Sequence, residues 1–279
     1  MIIIKHILKI NDFINNLKIQ GKTIGFAPTM GALHEGHISL IKKSKSENNL
    51  TICSIYVNPT QFSNKIDFQK YPVTIESDIN KLEKAGCDIL FLPSTNEMYL
   101  NRELNKKIEL GQLENILEGK YRPGHFQGVC VIVDKLLKAI IPTTLYLGKK
   151  DYQQCMVINK MIIDNKYKVR LELCDTVREL DGLAMSSRNL RLNKRERMVA
   201  VNIIETLKII KKNIKPGNLE EIKTNAKNYL TKNGYKVDYT EIADAETLEI
   251  VSNWDGKKKL VALVAAYLNE VRLIDNIIL

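Results

Sequence analysis

Two hydrophobic periods alternate over the first 176 residues of the chain. Short runs rich in Ile, Val, Leu and Thr are typical of buried strands, and apolar residues recurring every three or four positions are typical of amphipathic helices. The predicted strands lie at residues 23–27, 50–57, 88–93, 144–147 and 169–173. The predicted helices lie at 5–19, 38–44, 74–84, 129–141 and 153–165, with loop expected over most of 94–127. This alternation predicts an α/β fold with a parallel sheet covered on both faces.

The pattern changes near residue 177. Helices are predicted at 194–212 and 219–230, separated by Pro216-Gly217. Strands are predicted at 237–242, 260–268 and 271–275, with no helix between them. A run of helices followed by a run of strands predicts a separate α+β unit. We therefore expect one domain at residues 1–177 and a smaller one at 178–279.

Composition places the chain among ordinary globular proteins. Its 279 residues suggest one or two domains, and 44% hydrophobic and 27% charged residues are usual values for that class. No apolar run approaches the ~20 residues that a membrane-spanning helix needs. The segment Met1–His6 lacks the pattern of a secretory signal. We expect a cytoplasmic protein with no membrane partner.

The net charge of +10 raises the question of a nucleic-acid partner. The lysines are dispersed, however, and the densest run is only Lys257-Lys258-Lys259. We interpret the excess as general surface charge and expect no nucleic-acid partner.

The five cysteines are scattered and form no CxxC pair and no zinc-site spacing. They are Cys53, Cys87, Cys130, Cys155 and Cys174. We expect free thiols, and most lie in apolar runs, where a nucleophilic thiolate is disfavoured.

The stretch Pro28–His37 (PTMGALHEGH) is the most distinctive turn in the chain. It joins the predicted first strand to a helix, and the i, i+3 spacing of His34 and His37 puts both imidazoles on one face of that helix's first turn. Helix N-termini attract anions, and Gly31 and Gly36 leave room for a tight turn and a close ligand. Two imidazoles at such a site suit the charge that develops during nucleotidyl transfer. The alternative is that they only pack or decorate the surface.

Two further strands end in polar residues. Asn58 and Gln61 follow the second predicted strand, and Gly148, Lys150 and Asp151 follow the fourth. The carboxyl ends of parallel strands share one sheet edge, where ligands bind in open α/β folds, so we expect these residues to lie near the histidines. Lys150 is a point charge for a phosphate. The alternative for 148–151 is an ordinary strand-to-helix turn.

Residues 181–189 (DGLAMSSRN) form a polar loop at the predicted domain junction. Ser186 and Ser187 offer hydroxyl donors, and Arg188 offers bidentate donors, which together suit phosphate oxygens. The alternative is a helix cap followed by a surface arginine.

Several stretches in a fixed order resemble the pantothenate synthetase (pantoate–β-alanine ligase) family, part of the nucleotidyltransferase superfamily with HxGH and KMSKS-like elements. They are PTMGALHEGH at 28–37, VNPTQF at 57–62, YP at 71–72, RPGHFQGV at 122–129, LGKKDYQQ at 147–154 and TVRELDGLAMSSRN at 176–189.

The resemblance implies a Rossmann-like N-terminal domain, a smaller C-terminal lid domain and a homodimer. It also implies two half-reactions that require ATP and Mg²⁺. Pantoate first attacks the α-phosphate of ATP to give pantoyl adenylate and pyrophosphate. The amine of β-alanine then displaces AMP and yields pantothenate, as in coenzyme A biosynthesis.

The resemblance also implies roles for individual residues. The catalytic residues are His34, His37, Lys150 and Arg188. The ATP-binding residues are Met30, Gly31, Ala32, Leu33, His34, Glu35, Gly36, His37, Gly148, Lys149, Lys150, Asp151, Val177, Met185, Ser186, Ser187 and Arg188. Gln61 and Gln154 bind pantoate, Gln61 and Asn58 bind β-alanine, and Asp78 is the candidate metal ligand. Whether His37 donates a proton or only stabilises charge stays open.

Three positions leave questions within the resemblance. Val73 stands where many relatives have arginine, and Lys149 where many have glutamate or glutamine. His125 lies near the site or only fixes the Pro123-Gly124 turn. Two other functions remain alternatives, namely a nucleotidyltransferase that keeps the adenylyl group on its product and an RNA-binding module related to tRNA synthetases.

Overall fold

The computed structural model describes residues 1–99 and 107–279. The chain divides into two compact units. The N-terminal unit comprises Met1–Lys149 and Gln154–Thr176, and the C-terminal unit comprises Lys150–Gln153 and Val177–Leu279. The sequence suggested one boundary, after residue 177. It did not indicate that residues 150–153 belong to the C-terminal unit.

The N-terminal unit is built on a parallel sheet, as predicted. Within the described residues its six strands are β1 (Ile2–Ile4), β2 (Ile24–Thr29), β3 (Leu50–Ile55), β4 (Ile89–Phe91), β5 (Thr144–Gly148) and β6 (Arg170–Cys174). Their order is β1-β4-β3-β2-β5-β6, and every pair is parallel. The α/β prediction with a Rossmann-like sheet is therefore confirmed. Strand β1, which pairs with β4 at one edge, was not among the predicted strands.

Helices flank this sheet. In the described part of the chain they are α1 (Ile7–Ile19), α2 (Glu35–Glu47), α3 (Lys65–Gln69), α4 (Ile75–Lys84), α5 (Thr95–Tyr99), α6 (Leu117–Tyr121), α7 (His125–Ile140) and α8 (Tyr152–Asp164). α7 begins four residues before the predicted start. Gly124 adopts φ +77° just before it, so the turn expected at Pro123-Gly124 leads directly into the helix.

The central strands are buried on both faces, because side chains alternate between two hydrophobic clusters. Phe26 of β2 packs in the cluster that includes α7, and its neighbour Ala27 packs in the cluster that includes α2. Strand order reverses between β2 and β5, the neighbours at the centre. The carboxyl ends of these two strands, Thr29 and Gly148, therefore define the position where open α/β sheets bind ligands.

The cysteines are free and buried, as predicted. Burial raises the pKa of the Cys87 and Cys130 thiols to about 12, so neither is a thiolate near neutral pH.

The C-terminal unit has the predicted α+β character. Its strands are β7 (Gly217–Asn218), β8 (Tyr235–Asp244), β9 (Asn253–Trp254), β10 (Leu260–Leu268) and β11 (Val271–Ile278), and its helices are α9 (Lys194–Val199), α10 (Asn202–Asn213) and α11 (Glu220–Lys232). An antiparallel sheet runs in the order β11-β10-β8. The single helix predicted at 194–212 is wrong, because a turn separates α9 from α10. Ala200 and Ile203, on either side of that turn, are both fully buried.

No helix among residues 1–99 and 107–279 is long and apolar enough to span a membrane.

Candidate active site

The two histidines lie at the start of α2, after the end of β2. His34 is the N-cap rather than a residue of the first turn, and His37 is the third helical residue. Nδ1 of His34 accepts a hydrogen bond from the amide of Gly36 at 3.1 Å, and Nδ1 of His37 accepts from the amide of His34 at 3.3 Å. The ring centroids are 4.0 Å apart. The imidazoles thus satisfy two amides of the helix N-terminus and hold each other in place.

These hydrogen bonds fix the tautomer of both rings. An imidazole nitrogen that accepts from a backbone N–H carries no proton, so the neutral ring of each histidine is protonated at Nε2. In both rings the N–H is therefore at Nε2, near the positive end of the α2 dipole. Paired donors of this kind suit phosphate oxygens and the charge they gain during transfer.

Three side chains hold the backbone of the turn that leads to His34. The hydroxyl of Tyr71 donates to the carbonyl of Gly31 at 2.7 Å, and Lys81 Nζ donates to the carbonyl of Leu33 at 2.6 Å. Oδ1 of Asp78 accepts from the amide of Leu33 at 2.8 Å. No role was expected for Tyr71 or Lys81, although Lys81 follows Asp78 by three residues on one face of α4. The histidine turn is therefore fixed from outside as well as by its own cap.

Gly31 is required by this arrangement. Its φ is +70°, and a Cβ at this position would lie 2.8 Å from Oδ2 of Asp78. Any larger residue would strain the backbone and displace the carboxylate.

Asp78 was the candidate metal ligand, but its contacts indicate that it holds the backbone of the histidine turn. The side chain is fully buried, and Oδ1 also accepts from the Thr74 hydroxyl at 3.0 Å. Only Oδ2 lacks a hydrogen-bond partner. Within the described residues no group of three or more His, Cys, Asp or Glu side chains converges as a metal site. A Mg²⁺ ion retains several waters, which a fully buried carboxylate does not accommodate, so these residues do not fit a magnesium centre built on Asp78.

Asn58 and Gln61 follow β3 and form one hydrogen-bonded pair. Asn58 caps the short helical turn at Pro59–Gln61 and is 1% exposed. Its Nδ2 donates to Oε1 of Gln61 at 3.2 Å, and Nε2 of Gln61 lies 2.8 Å from Sδ of Met30. The ends of β2 and β3 thus meet at these side chains, as expected for adjacent parallel strands.

Helix α7 supports the same turn. Nδ1 of His125 lies 2.7 Å from the carbonyl oxygen of Gln61, and His125 is buried. A Cβ on Gly128 would come within 2.4 Å of the carbonyl oxygen of Thr60, so the helix packs directly against the turn's backbone. The side chain of His125 therefore contacts the main chain of a predicted site residue, so its role is not only to fix the Pro123-Gly124 turn.

Gly148 and Lys149 end β5. A Cβ on Gly148 would meet nothing within 4 Å, and Gly148 does not adopt a positive φ, so the fold itself does not demand glycine here. Nζ of Lys149 lies 2.7 Å from Oδ1 of Asp175, and this hydrogen bond lowers the pKa of the Asp175 carboxyl. The residue that departs from many relatives is thus paired with a local carboxylate.

The other predicted ATP-binding segments belong to the C-terminal unit. The carbonyl of Lys150 accepts a hydrogen bond from Nδ2 of Asn276 at 2.9 Å, and Nζ of Lys150 lies 3.7 Å from Oδ1 of Asp151. The neighbouring Asp275 binds Arg178 through both carboxylate oxygens, at 2.6 and 3.1 Å. Adjacent residues of β11 therefore hold Lys150 and the segment that begins at Val177.

That segment is a tight hairpin followed by a helical turn. The amide of Met185 donates to the carbonyl of Val177 at 3.0 Å, which closes the hairpin. Ser186 then caps the turn Ser187–Arg191 and accepts from the amide of Arg188 at 3.3 Å. The helix cap that is the alternative for this loop is present at Ser186. No role was expected for Arg178, Asp275 or Asn276.

The remaining predicted residues differ in exposure. Ala32 and Leu33 are buried in the fold, whereas Glu35 is exposed and Gly36 and Gln154 are partly exposed. The histidines, Gln61 and Gln154 belong to one unit, and Lys150 and Arg188 belong to the other. The convergence of all these residues on one cleft stays a prediction.

The chain is similar to known proteins over almost its whole length. The model of the family described as pantoate-beta-alanine ligase matches residues 2–278. The pantothenate synthetase of Cytophaga hutchinsonii is 44% identical over 282 residues, covering 100% of this chain and 99% of the relative. The crystal structure of pantothenate synthetase from Thermus thermophilus is 34% identical, covers 99% of both chains and has a TM-score of 0.89.

A second solved relative was crystallised with ligands. The pantoate-beta-alanine ligase of Francisella tularensis, complexed with beta-gamma ATP and β-alanine, is 40% identical, covers 99% of this chain and 97% of that one, and has a TM-score of 0.83. The match spans both units and includes the histidine turn. The chain therefore belongs to the pantoate–β-alanine ligase family.

Proposed function

We propose that the protein catalyses the ATP-dependent condensation of (R)-pantoate with β-alanine to give pantothenate, AMP and pyrophosphate. The full-length family match carries this proposal. The histidine turn supports it, because paired imidazole donors at a helix N-terminus suit the phosphate chemistry of this reaction.

The reaction needs activation of a carboxylate, which is a poor acyl donor on its own. A pantoate carboxylate oxygen forms a bond to the α-phosphorus of ATP, and the bond from that phosphorus to pyrophosphate breaks. The β-alanine amine then forms the amide bond at the acyl carbon, AMP leaves and the nitrogen loses a proton. Charge develops on phosphate oxygens in the first step, so fixed donors serve it better than a covalent nucleophile.

The residues divide among these tasks. We assign the Nε2 donors of His34 and His37, with Lys150 and Arg188, to the phosphates of ATP. The backbone of 30–33 and the segments at 148–151, 177 and 185–188 contribute the remaining nucleotide contacts. Gln61 and Gln154 hold pantoate. Gln61 also faces β-alanine. The side-chain amide of Asn58 is hydrogen-bonded within the protein, to Gln61 and to the carbonyl of Gly128, so Asn58 supports the β-alanine site through Gln61.

The setting of the reaction is also part of the proposal. Mg²⁺ accompanies ATP, bound through the phosphates and water, as is usual for nucleotide enzymes. We expect a cytoplasmic homodimer without a nucleic-acid partner.

A single-turnover experiment tests the function. Enzyme in excess is mixed with ATP, magnesium and pantoate without amine, and pyrophosphate and enzyme-bound pantoyl adenylate are expected. Addition of β-alanine is then expected to release AMP and pantothenate. Retention of the adenylyl group on the product after β-alanine is added would instead support a nucleotidyltransferase.

Gly148 provides a separate test of the ATP site. Gly148→Ala is expected to leave the thermal midpoint unchanged, because the added methyl group meets no protein atom within 4 Å. It is expected to raise the KM for ATP about tenfold if the nucleotide approaches this backbone closely. An unchanged KM for ATP would remove Gly148 from the nucleotide site.

A further inference from the structure

We propose that Tyr99 holds the Asn58 amide in place and thereby helps to set the direction in which the Gln61 amide faces the substrate. Tyr99 is then a positioning residue that favours an oxygen-bearing ligand such as the carboxylate and hydroxyls of pantoate. The inference rests on the proposed function and deepens it at the pantoate site.

The amide of Asn58 has only one orientation that satisfies its neighbours. Its Oδ1 accepts from the Tyr99 hydroxyl at 2.6 Å and from the Thr60 amide at 3.4 Å, and the Thr60 hydroxyl lies 3.1 Å away. Its Nδ2 donates to the carbonyl of Gly128 at 3.1 Å. The Tyr99 and Thr60 hydroxyls could pair with either amide atom, but the flipped amide would place its NH₂ against the Thr60 N–H and its oxygen against the Gly128 carbonyl. At 1% exposure, water does not relieve such a mismatch.

This orientation determines that of Gln61. Because Asn58 Nδ2 is a donor, the Gln61 atom 3.2 Å from it is the acceptor Oε1. The Gln61 NH₂ group therefore faces the other way, toward Met30, whose sulfur at 2.8 Å is only a weak acceptor. Gln61 thus presents donors to a ligand. Donors suit carboxylate and hydroxyl oxygens and do not suit an ammonium group, so pantoate fits this orientation better than the amine end of β-alanine.

Tyr99 is well placed to donate the first hydrogen bond in the series from Tyr99 to Asn58 to Gln61. It lies in α5, and Nζ of Lys135 is 5.6 Å from its ring centroid. Burial raises the pKa of its hydroxyl, so the group stays protonated and remains a donor across the physiological range. Tyr99 lies 38 residues from Gln61 in the sequence, and no local pattern connects them.

The test is a double-mutant cycle between Tyr99→Phe and Gln61→Ala, read as the KM for each substrate. Tyr99→Phe alone is expected to raise the KM for pantoate about fivefold, the size of one net hydrogen bond, and to change the KM for ATP less than about twofold. In the Gln61→Ala background the same substitution is expected to have no further effect on the KM for pantoate. An equal effect in both backgrounds, or no effect in either, would overturn the inference.

Two more variants separate positioning from stability. Asn58→Asp cannot donate to Oε1 of Gln61, so the Gln61 amide is expected to reverse and the KM for pantoate to rise by more than in Tyr99→Phe. Tyr167→Phe is the matched control, since its hydroxyl bonds Oδ1 of Asp134 at 2.5 Å, and it is expected to leave the KM for pantoate unchanged. Asn58→Asp keeps the acceptor for the Tyr99 hydroxyl and tests the link from Asn58 to Gln61, so an unchanged KM for pantoate in this variant would overturn the inference even if Tyr99→Phe does not fold.

The wild-type protein separates this inference from the function itself. Absence of pantoate-dependent ATP cleavage in the wild type would overturn the proposed function. Normal wild-type activity together with an unchanged KM for pantoate in Tyr99→Phe and Asn58→Asp would overturn only the role of Tyr99.

Discussion

Replacing His37, Lys150 or Arg188 by alanine, one at a time, is expected to lower kcat at least about 100-fold, as removal of one preorganised donor does in other enzymes. The pyrophosphate-forming step gains charge on the phosphates, and each of these side chains is assigned to that charge. The measurement is the single-turnover rate of pyrophosphate release with ATP and pantoate, together with circular dichroism to show that the fold persists.

Matched controls exist for each side chain. His6→Ala, Lys138→Ala and Arg195→Ala remove the same groups at positions that the reaction does not use, and we expect them to retain wild-type rates. The loss of the Lys138 ion pair with Asp134 is a surface effect of at most about 1 kcal/mol. Near-normal pyrophosphate release in all three site variants would contradict the assignment of the nucleotide site.

Gly128→Ala is expected to have the largest effect on stability. Its methyl group would lie 2.4 Å from the Thr60 carbonyl oxygen and 2.7 Å from the Gln61 amide nitrogen, and both are backbone atoms that cannot rotate away. Overpacking of this kind costs about 3 kcal/mol, which lowers the thermal midpoint by roughly 6–12 °C. Because the displaced turn carries Gln61, the KM for pantoate is expected to rise as well.

Differential scanning calorimetry and steady-state kinetics check both parts of this expectation. Gly148→Ala makes the same chemical change where the methyl group meets open space, so it serves as the stability control. If Gly128→Ala has the same thermal midpoint as the wild type, α7 does not pack against the turn as described.

The periodic pattern was sufficient to predict the N-terminal sheet because its central strands, such as 50–55, are nearly continuous runs of apolar and β-branched residues buried on both faces. It was insufficient for β1, a strand of three residues. Ile2–Ile4 becomes a strand only by pairing with Ile89–Phe91, more than eighty residues away. The residues next to Ile2–Ile4 in the sequence do not indicate that pairing.

The residues of the candidate site also fall into two groups, those that local sequence patterns indicate and those that they do not. Residues that present chemistry at strand ends, such as His37 and Gln61, have local signals in glycines, turns and polar positions. The residues that hold them have no such local signals, because the hydrogen bonds of Tyr71, Lys81 and Tyr99 span 40 to 48 positions of sequence. Their hydrogen bonds are formed only after the sheet has brought distant segments together.

The tetrapeptide Lys150–Gln153 has a consequence for any attempt to make chimeras. It belongs to the C-terminal unit, where Asn276 binds the carbonyl of Lys150 and the Tyr152 hydroxyl donates to the carbonyl of Ala245 at 2.6 Å. A gene fragment ending at residue 176 would encode these four residues without either partner, and a fragment starting at 177 would lack them. Recombination at that single junction therefore cannot exchange either unit intact.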